Sequence, residues 1–123
     1  FDDVLSALDR LDDMGLVLGV VSNWDCALPQ HLTRLGVADR FGVIVASAAV
    51  GYQKPDPGIF TTALSALGIA PAEALHVGDR RVEDLDGARS AGLQALLLDR
   101  SPQAEATDDV ITTLVQIPVR IAA

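Results

Sequence analysis

The sequence predicts an α/β domain of three layers, with helices packed on both faces of a parallel sheet. Three observations carry this. Segments with helical spacing of apolar residues alternate with short apolar runs along the chain. Those runs are nearly continuous in hydrophobicity, as expected of strands covered on both faces rather than one. Helices that alternate with such strands imply right-handed crossovers and a parallel sheet.

"DDVLSALDRLDDM" (2–14) places Val4, Leu5, Leu8 and Leu11 at helical spacing, and Gly15 can end the helix. "LVLGVVSN" (16–23) is the first buried strand. Pro29 to Leu35 reads as helix, stopped by Gly36. "FGVIVAS" (41–47) is the second strand. "DPGIFTTALSALG" (56–68) opens with Pro57 near a helix start and closes at Gly68. "EALHVGD" (73–79) is the third strand, "VEDLDGARSAG" (82–92) a helix ending at Gly92, and "LQALLLD" (93–99) the fourth strand. "TDDVITTLVQIPV" reads as a short strand followed by a last helical turn.

The bulk properties bound the function. With 123 residues, 50% of them apolar and 21% charged, the chain suits one domain with a real core. The formal net charge is −8 and the nine basic residues are scattered, which argues against nucleic acid and anionic membrane as partners. No apolar run is long enough to span a bilayer. A single cysteine, Cys26, excludes an intrachain disulfide and suits a reducing compartment. With no signal peptide in the sequence, the expected location is the cytoplasm.

Parallel α/β sheets place their sites at the carboxyl ends of the strands. Ser22 and Asn23 follow the first strand, Lys54 lies beyond the second in "GYQKPDPGIF", and Asp79 ends the third. Asp84 follows at the start of a helix and can face the same cleft. Two close carboxylates repel unless a cation lies between them, and Mg²⁺ is commonly held by one or two carboxylates, waters and a substrate phosphate. Each residue also has a plainer reading. Asp79 can be a turn residue and Asp84 a favourable charge at a helix start. Lys54 can be a surface lysine, although it is the sole lysine beside eight arginines. Ser22 and Asn23 can simply cap the following turn. His76, inside a strand, reads as a packed core histidine rather than a ligand. His31 is expected on a helix surface, Cys26 as a small buried or half-buried side chain, and Trp24 and Asp25 near the cleft entrance.

Taken together these residues say more than they do singly. "VVSN", then "QKPDPGIF", then "HVGDRRVEDLDGARSAG" follow the order of the second, third and fourth motifs of the haloacid dehalogenase (HAD) superfamily of hydrolases, and the chain resembles that family from about residue 3 to residue 117. The "SNWD" form is similar to the subfamily that carries a helical cap. The resemblance implies a Rossmann-like core in which Ser22 and Asn23 bind the substrate, Ser22 through a phosphate oxygen. It implies that Lys54 stabilises a phosphoryl-aspartate and its nucleophile. It further implies that Asp79 and Asp84 belong to a Mg²⁺ site. Dehalogenases of this family use no metal and carry Ser-Asn where this chain has Gly78-Asp79, so the carboxylate form resembles a Mg²⁺-dependent phosphatase acting on a small phosphorylated substrate.

The family's first motif, Asp-x-Asp after a buried strand, supplies the nucleophile, and this sequence has no such segment. Asp84-Leu85-Asp86-Gly87-Ala88 has the spacing, but "RRVE" precedes it instead of a strand. Two expectations follow. In one, the chain is the C-terminal portion of a phosphatase core, inactive alone and active through a phospho-aspartate in the intact protein. In the other, it is a truncated, non-catalytic domain acting as a binding or interaction module. By the resemblance, a strand lacking here belongs between 16–23 and 74–79. Either 16–23 pairs directly with 74–79 and closes the gap, or, as is favoured, a partner strand from the missing N-terminal segment or from a second copy of the chain takes its place.

Overall fold

The computed structural model describes residues 3–23, 28–36 and 38–122. The expectations for Trp24, Asp25, Cys26 and the His31 side chain lie outside the described residues. Among the described residues lie six α-helices and five strands, in the order α1 (Asp3–Asp13), β1 (Gly19–Ser22), α2 (Leu28–Arg34), β2 (Val43–Ala46), α3 (Ser47–Val50), α4 (Pro57–Leu67), β3 (Leu75–Gly78), α5 (Gly87–Ser90), β4 (Gln94–Leu98), β5 (Val110–Ile111) and α6 (Gln116–Ala122). Every ladder is parallel.

Strand alternation assigns the layers. Ala95 and Leu97 of β4 pack with Ile59, Phe60 and Ala63 of α4 and Ala88 of α5. Leu96, between them, points the other way and packs with Leu11 of α1 and Ile117 of α6. Two cores therefore lie on opposite faces of one sheet, as the three-layer expectation requires.

Helix α4 shows how local sequence sets an element. Asp56 caps it by accepting from the Gly58 N–H at 2.8 Å, and Pro57 occupies its first turn. Gly68 ends it at φ 68°, a left-handed conformation that a side chain would oppose.

The strands are shorter than the apolar runs that predict them. Residues 16–18 precede β1 without a ladder. Hydrophobicity marks burial, whereas strand length depends on the neighbour available for pairing. The helix expected over 82–92 is also different. Its first part, Arg81–Asp86, is a π-helical turn, and only Gly87–Ser90 is α-helical.

The sheet is interrupted. β1 pairs only with β2, and β3–β4–β5 form a separate ladder. Among the described residues no ladder joins β1 to β3. Neither of these two strands has a buried residue, whereas β4, paired on both sides, has three. The carboxyl ends of β1 and β3 open on the same cleft.

Candidate active site

The cleft has a volume of about 480 Å³ and is lined by Ser22, Asn23, Lys54, Asp79 and Asp84, together with Gln53, Pro55, Arg80 and Glu83. These five residues meet in one place, although Ser22 and Asp84 are 62 residues apart in the chain.

β1 delivers Ser22 to the cleft. Asn23, just after it, is engaged by the loop that carries Lys54. The Asn23 side-chain amide donates to the Lys54 carbonyl at 3.1 Å, and the Lys54 N–H donates to Asn23 Oδ1 at 2.7 Å. Through these two bonds the Asn23 side chain holds the lysine loop at the cleft. From the other side, Gly87 lets the loop approach α5. A Cβ on Gly87 would lie 2.9 Å from Pro55 Cα.

Lys54 is directed inward. Its ammonium group pairs with Asp84 Oδ1, and only 11% of the lysine side chain is exposed. The surface-lysine reading does not describe it. Asp84 is 2% exposed and is the one buried polar or charged residue among those described. A buried carboxylate must be well satisfied, and this one is. Oδ1 also meets His76 Nε2 at 2.9 Å, and Oδ2 accepts the Arg80 N–H at 3.0 Å. Burial alone would push its pKa up. The hydrogen bonds from His76 and Lys54, the Lys54 charge and the Arg80 N–H outweigh burial and hold the carboxyl well below its usual range.

The backbone around Asp84 is shaped to admit it. Gly78 ends β3, and a Cβ there would overlap the Asp84 carboxyl group. The π-helical turn lets the N–H groups of Asp84 and Leu85 both point at the Arg80 carbonyl, at 2.8 and 3.4 Å. Such wide turns recur at functional sites. They were not legible from apolar spacing.

Asp79 is exposed at the end of β3. Arg80 and Glu83 pair on the rim at 2.6 Å. The apolar and motif patterns single out neither, and they give His76 only a packing role. His76 does pack, edge-on against Phe60 with ring centroids 5.0 Å apart, but it also holds Asp84. Strand alternation was an available signal, because His76 and Gly78 share a face of β3.

The cleft lining offers oxygen donors, among them the carboxylates of Asp79, Glu83 and Asp84, which suit a hard ion such as Mg²⁺. Asp79 and Asp84 provide at most part of a coordination shell. Among the described residues no group of three or more His, Cys, Asp or Glu side chains is arranged to hold an ion.

A parallel α/β sheet with a lysine and two carboxylates at its strand ends defines a class of hydrolase-like cores. Residues 1–98 match the haloacid dehalogenase-like hydrolase family, and the chain belongs to that family. It is 41% identical over 92 residues to a phosphoserine phosphatase of Thermus thermophilus, covering 74% of this chain and 37% of the relative. Its fold matches a HAD phosphatase of Thermococcus onnurineus with TM-score 0.92 and 31% identity, covering 98% of this chain and 57% of that one. It also matches a 2-haloacid dehalogenase of Pseudomonas syringae with TM-score 0.84 and 32% identity, covering 99% of this chain and 53% of that one. The chain spans only 34 to 52% of the length of the first curated relatives it matches. No helix among the described residues is long and apolar enough to cross a membrane.

Proposed function

We propose that this chain forms the lysine and metal side of a Mg²⁺-dependent phosphomonoester phosphatase. In the intact protein a phospho-aspartate would form on a nucleophile contributed by another segment. The convergence of Ser22, Lys54, Asp79 and Asp84 on one cleft is the observation that carries this reading. The phosphatase relatives support it, and so does the carboxylate at Asp79, where dehalogenases of the family carry a neutral residue.

Asp79 and Asp84 would hold the ion, which when bound neutralises phosphoryl oxygens. The chain's own residues supply the remaining electrostatics. Lys54 brings a positive charge to the cleft wall, oriented by Asp84 and by the two Asn23 hydrogen bonds. It can stabilise an anionic phosphoryl group and hold a nearby carboxylate ionised. The Ser22 hydroxyl can donate to a phosphate oxygen. Asp84 itself is a poor nucleophile. It is buried, and both its oxygens already accept hydrogen bonds.

The expected result is no turnover of an aryl phosphate by this chain with Mg²⁺. A polypeptide that also carries a strand ending in Asp-x-Asp should turn it over, and Lys54→Ala should lower that rate by about a hundredfold or more. Turnover by the chain alone, lost in Asp84→Asn or Asp86→Asn, would overturn the assignment.

The interrupted sheet fits the same reading. A parallel strand placed between β1 and β3 would satisfy the facing N–H and C=O groups of both, which folded proteins rarely leave unpaired. An N-terminal segment of the same protein or a second copy of the chain can supply it. Without the N-terminal segment, light scattering should show species larger than a monomer. A stable, monodisperse monomer would count against this completion of the sheet.

A further inference from the structure

His76 is a half-buried polar residue for which phosphoryl transfer has no direct use. It does not line the cleft. It stands on the face of β3 that Gly78 shares, beneath Asp84 and against Phe60, itself 1% exposed. Its Nε2 lies 2.9 Å from Asp84 Oδ1, the oxygen that also takes the Lys54 ammonium group.

The chemistry of this contact has a direction. Asp84 Oδ1 takes the Lys54 ammonium group and Oδ2 the Arg80 N–H, and a carboxylate paired with a lysine in this way only accepts hydrogen bonds. Nε2 must therefore carry the hydrogen, and a neutral His76 is the Nε2–H tautomer with Nδ1 bare. The Phe60 edge contact fixes the plane of the imidazole, so the donor points one way.

We infer that His76 is a positioning residue. It sets the rotation of the Asp84 carboxylate, so that Oδ1 faces Lys54 while Oδ2 stays on the Arg80 N–H. Without this donor Oδ1 keeps only its lysine, and the carboxylate is held less firmly in that rotation. The consequence for cation binding rests on the metal reading proposed above. The tautomer and the orientation of Asp84 do not. Donors behind a metal-binding side chain typically change affinity ten- to a hundredfold when removed.

Three measurements on the full chain test this. Long-range ¹H–¹⁵N spectra at neutral pH should show His76 as the Nε2–H tautomer, and an Nδ1–H tautomer would overturn the proposal. His76→Leu keeps the apolar packing and removes the donor, whereas His76→Gln can place an amide N–H near the position of Nε2. The Asp84 ¹³Cγ resonance should move in His76→Leu and return toward the wild-type position in His76→Gln. With Mn²⁺ as the probe, the dissociation constant should rise about tenfold in His76→Leu and recover to within about threefold in His76→Gln. A His76→Leu chain with an unmoved Asp84 resonance would sink the idea. Should either variant fail to fold, the wild-type tautomer still decides it. If the wild-type chain binds no Mn²⁺, the metal reading fails, while the tautomer and the Asp84 resonance still decide the role of His76.

Discussion

Gly78→Ala is expected to destabilise the chain by about 3 to 5 kcal/mol, because the new methyl group and the Asp84 carboxylate cannot share one space. Gly78 ends β3 with an ordinary backbone, so the cost comes from crowding and not from the loss of glycine's conformational range. The methyl group must push Asp84 away from Lys54, His76 and the Arg80 N–H. A buried ion pair broken in this way leaves two uncompensated partners. Urea unfolding measures the loss. The decisive comparison is a double-mutant cycle. In an Asp84→Ala background the obstructing carboxyl is already gone, and Gly78→Ala should then cost less than about 1 kcal/mol. Equal costs in both backgrounds would show that the close approach of Gly78 and Asp84 is not what the glycine is for.

This close approach marks where sequence reading stops. The alternation of helices and strands was legible because its signals are local. Apolar spacing, Asp56-Pro57 at the start of α4 and Gly68 at its end all act within a few residues. The convergence of Ser22, Lys54, Asp79 and Asp84 followed from one general rule about strand ends, together with the order of motifs. What escaped was non-local or finely geometric. Nothing in "EALHVGD" says that its histidine will be 2.9 Å from an aspartate eight residues on. The apolar spacing predicted a helix after Asp79 but could not show its widening into a π-turn. That widening comes from the demand that Asp84 reach inward while its backbone still bonds to Arg80. The bonds of the Asn23 side chain to the Lys54 backbone, 31 residues away, were not legible either. Strand ends were overestimated for the same reason, since pairing depends on neighbours that the apolar pattern does not reveal.

The most distant of these unread contacts carries the second large expected effect. Asp3 opens α1, where a carboxylate ordinarily serves only as a favourable charge at the helix start. Instead it ties the beginning of the described chain to its end. Arg100 grips it with two hydrogen bonds of 3.0 Å, Thr113 Oγ1 donates at 2.7 Å, and the Leu114 N–H donates at 2.8 Å. The group is only partly shielded, with 12% of the Asp3 side chain and 25% of the Arg100 side chain exposed. Helix α1 contributes Leu11 to the core shared with β4 and α6, so this clamp holds the layer that covers one face of the sheet. Asp3→Ala should therefore cost about 2 kcal/mol at pH 7, near the middle of the range for hydrogen bonds to a charged group.

The pH dependence separates the charge from the packing. The Arg100 hydrogen bonds draw the Asp3 pKa down. Burial opposes them, Thr113 and Leu114 add to them, and the folded value ends well below the ordinary 3.8. A carboxyl lowered in this way stabilises the fold above its unfolded pKa and loses that contribution as pH falls through the folded value. The difference in unfolding free energy between wild type and Asp3→Asn should thus be flat from about pH 8 to about pH 5, then shrink steadily below about pH 4. Urea unfolding at a series of pH values reads this directly. A difference that stays constant down to about pH 3, or one that grows there, would mean that the clamp works through shape and not through the aspartate charge.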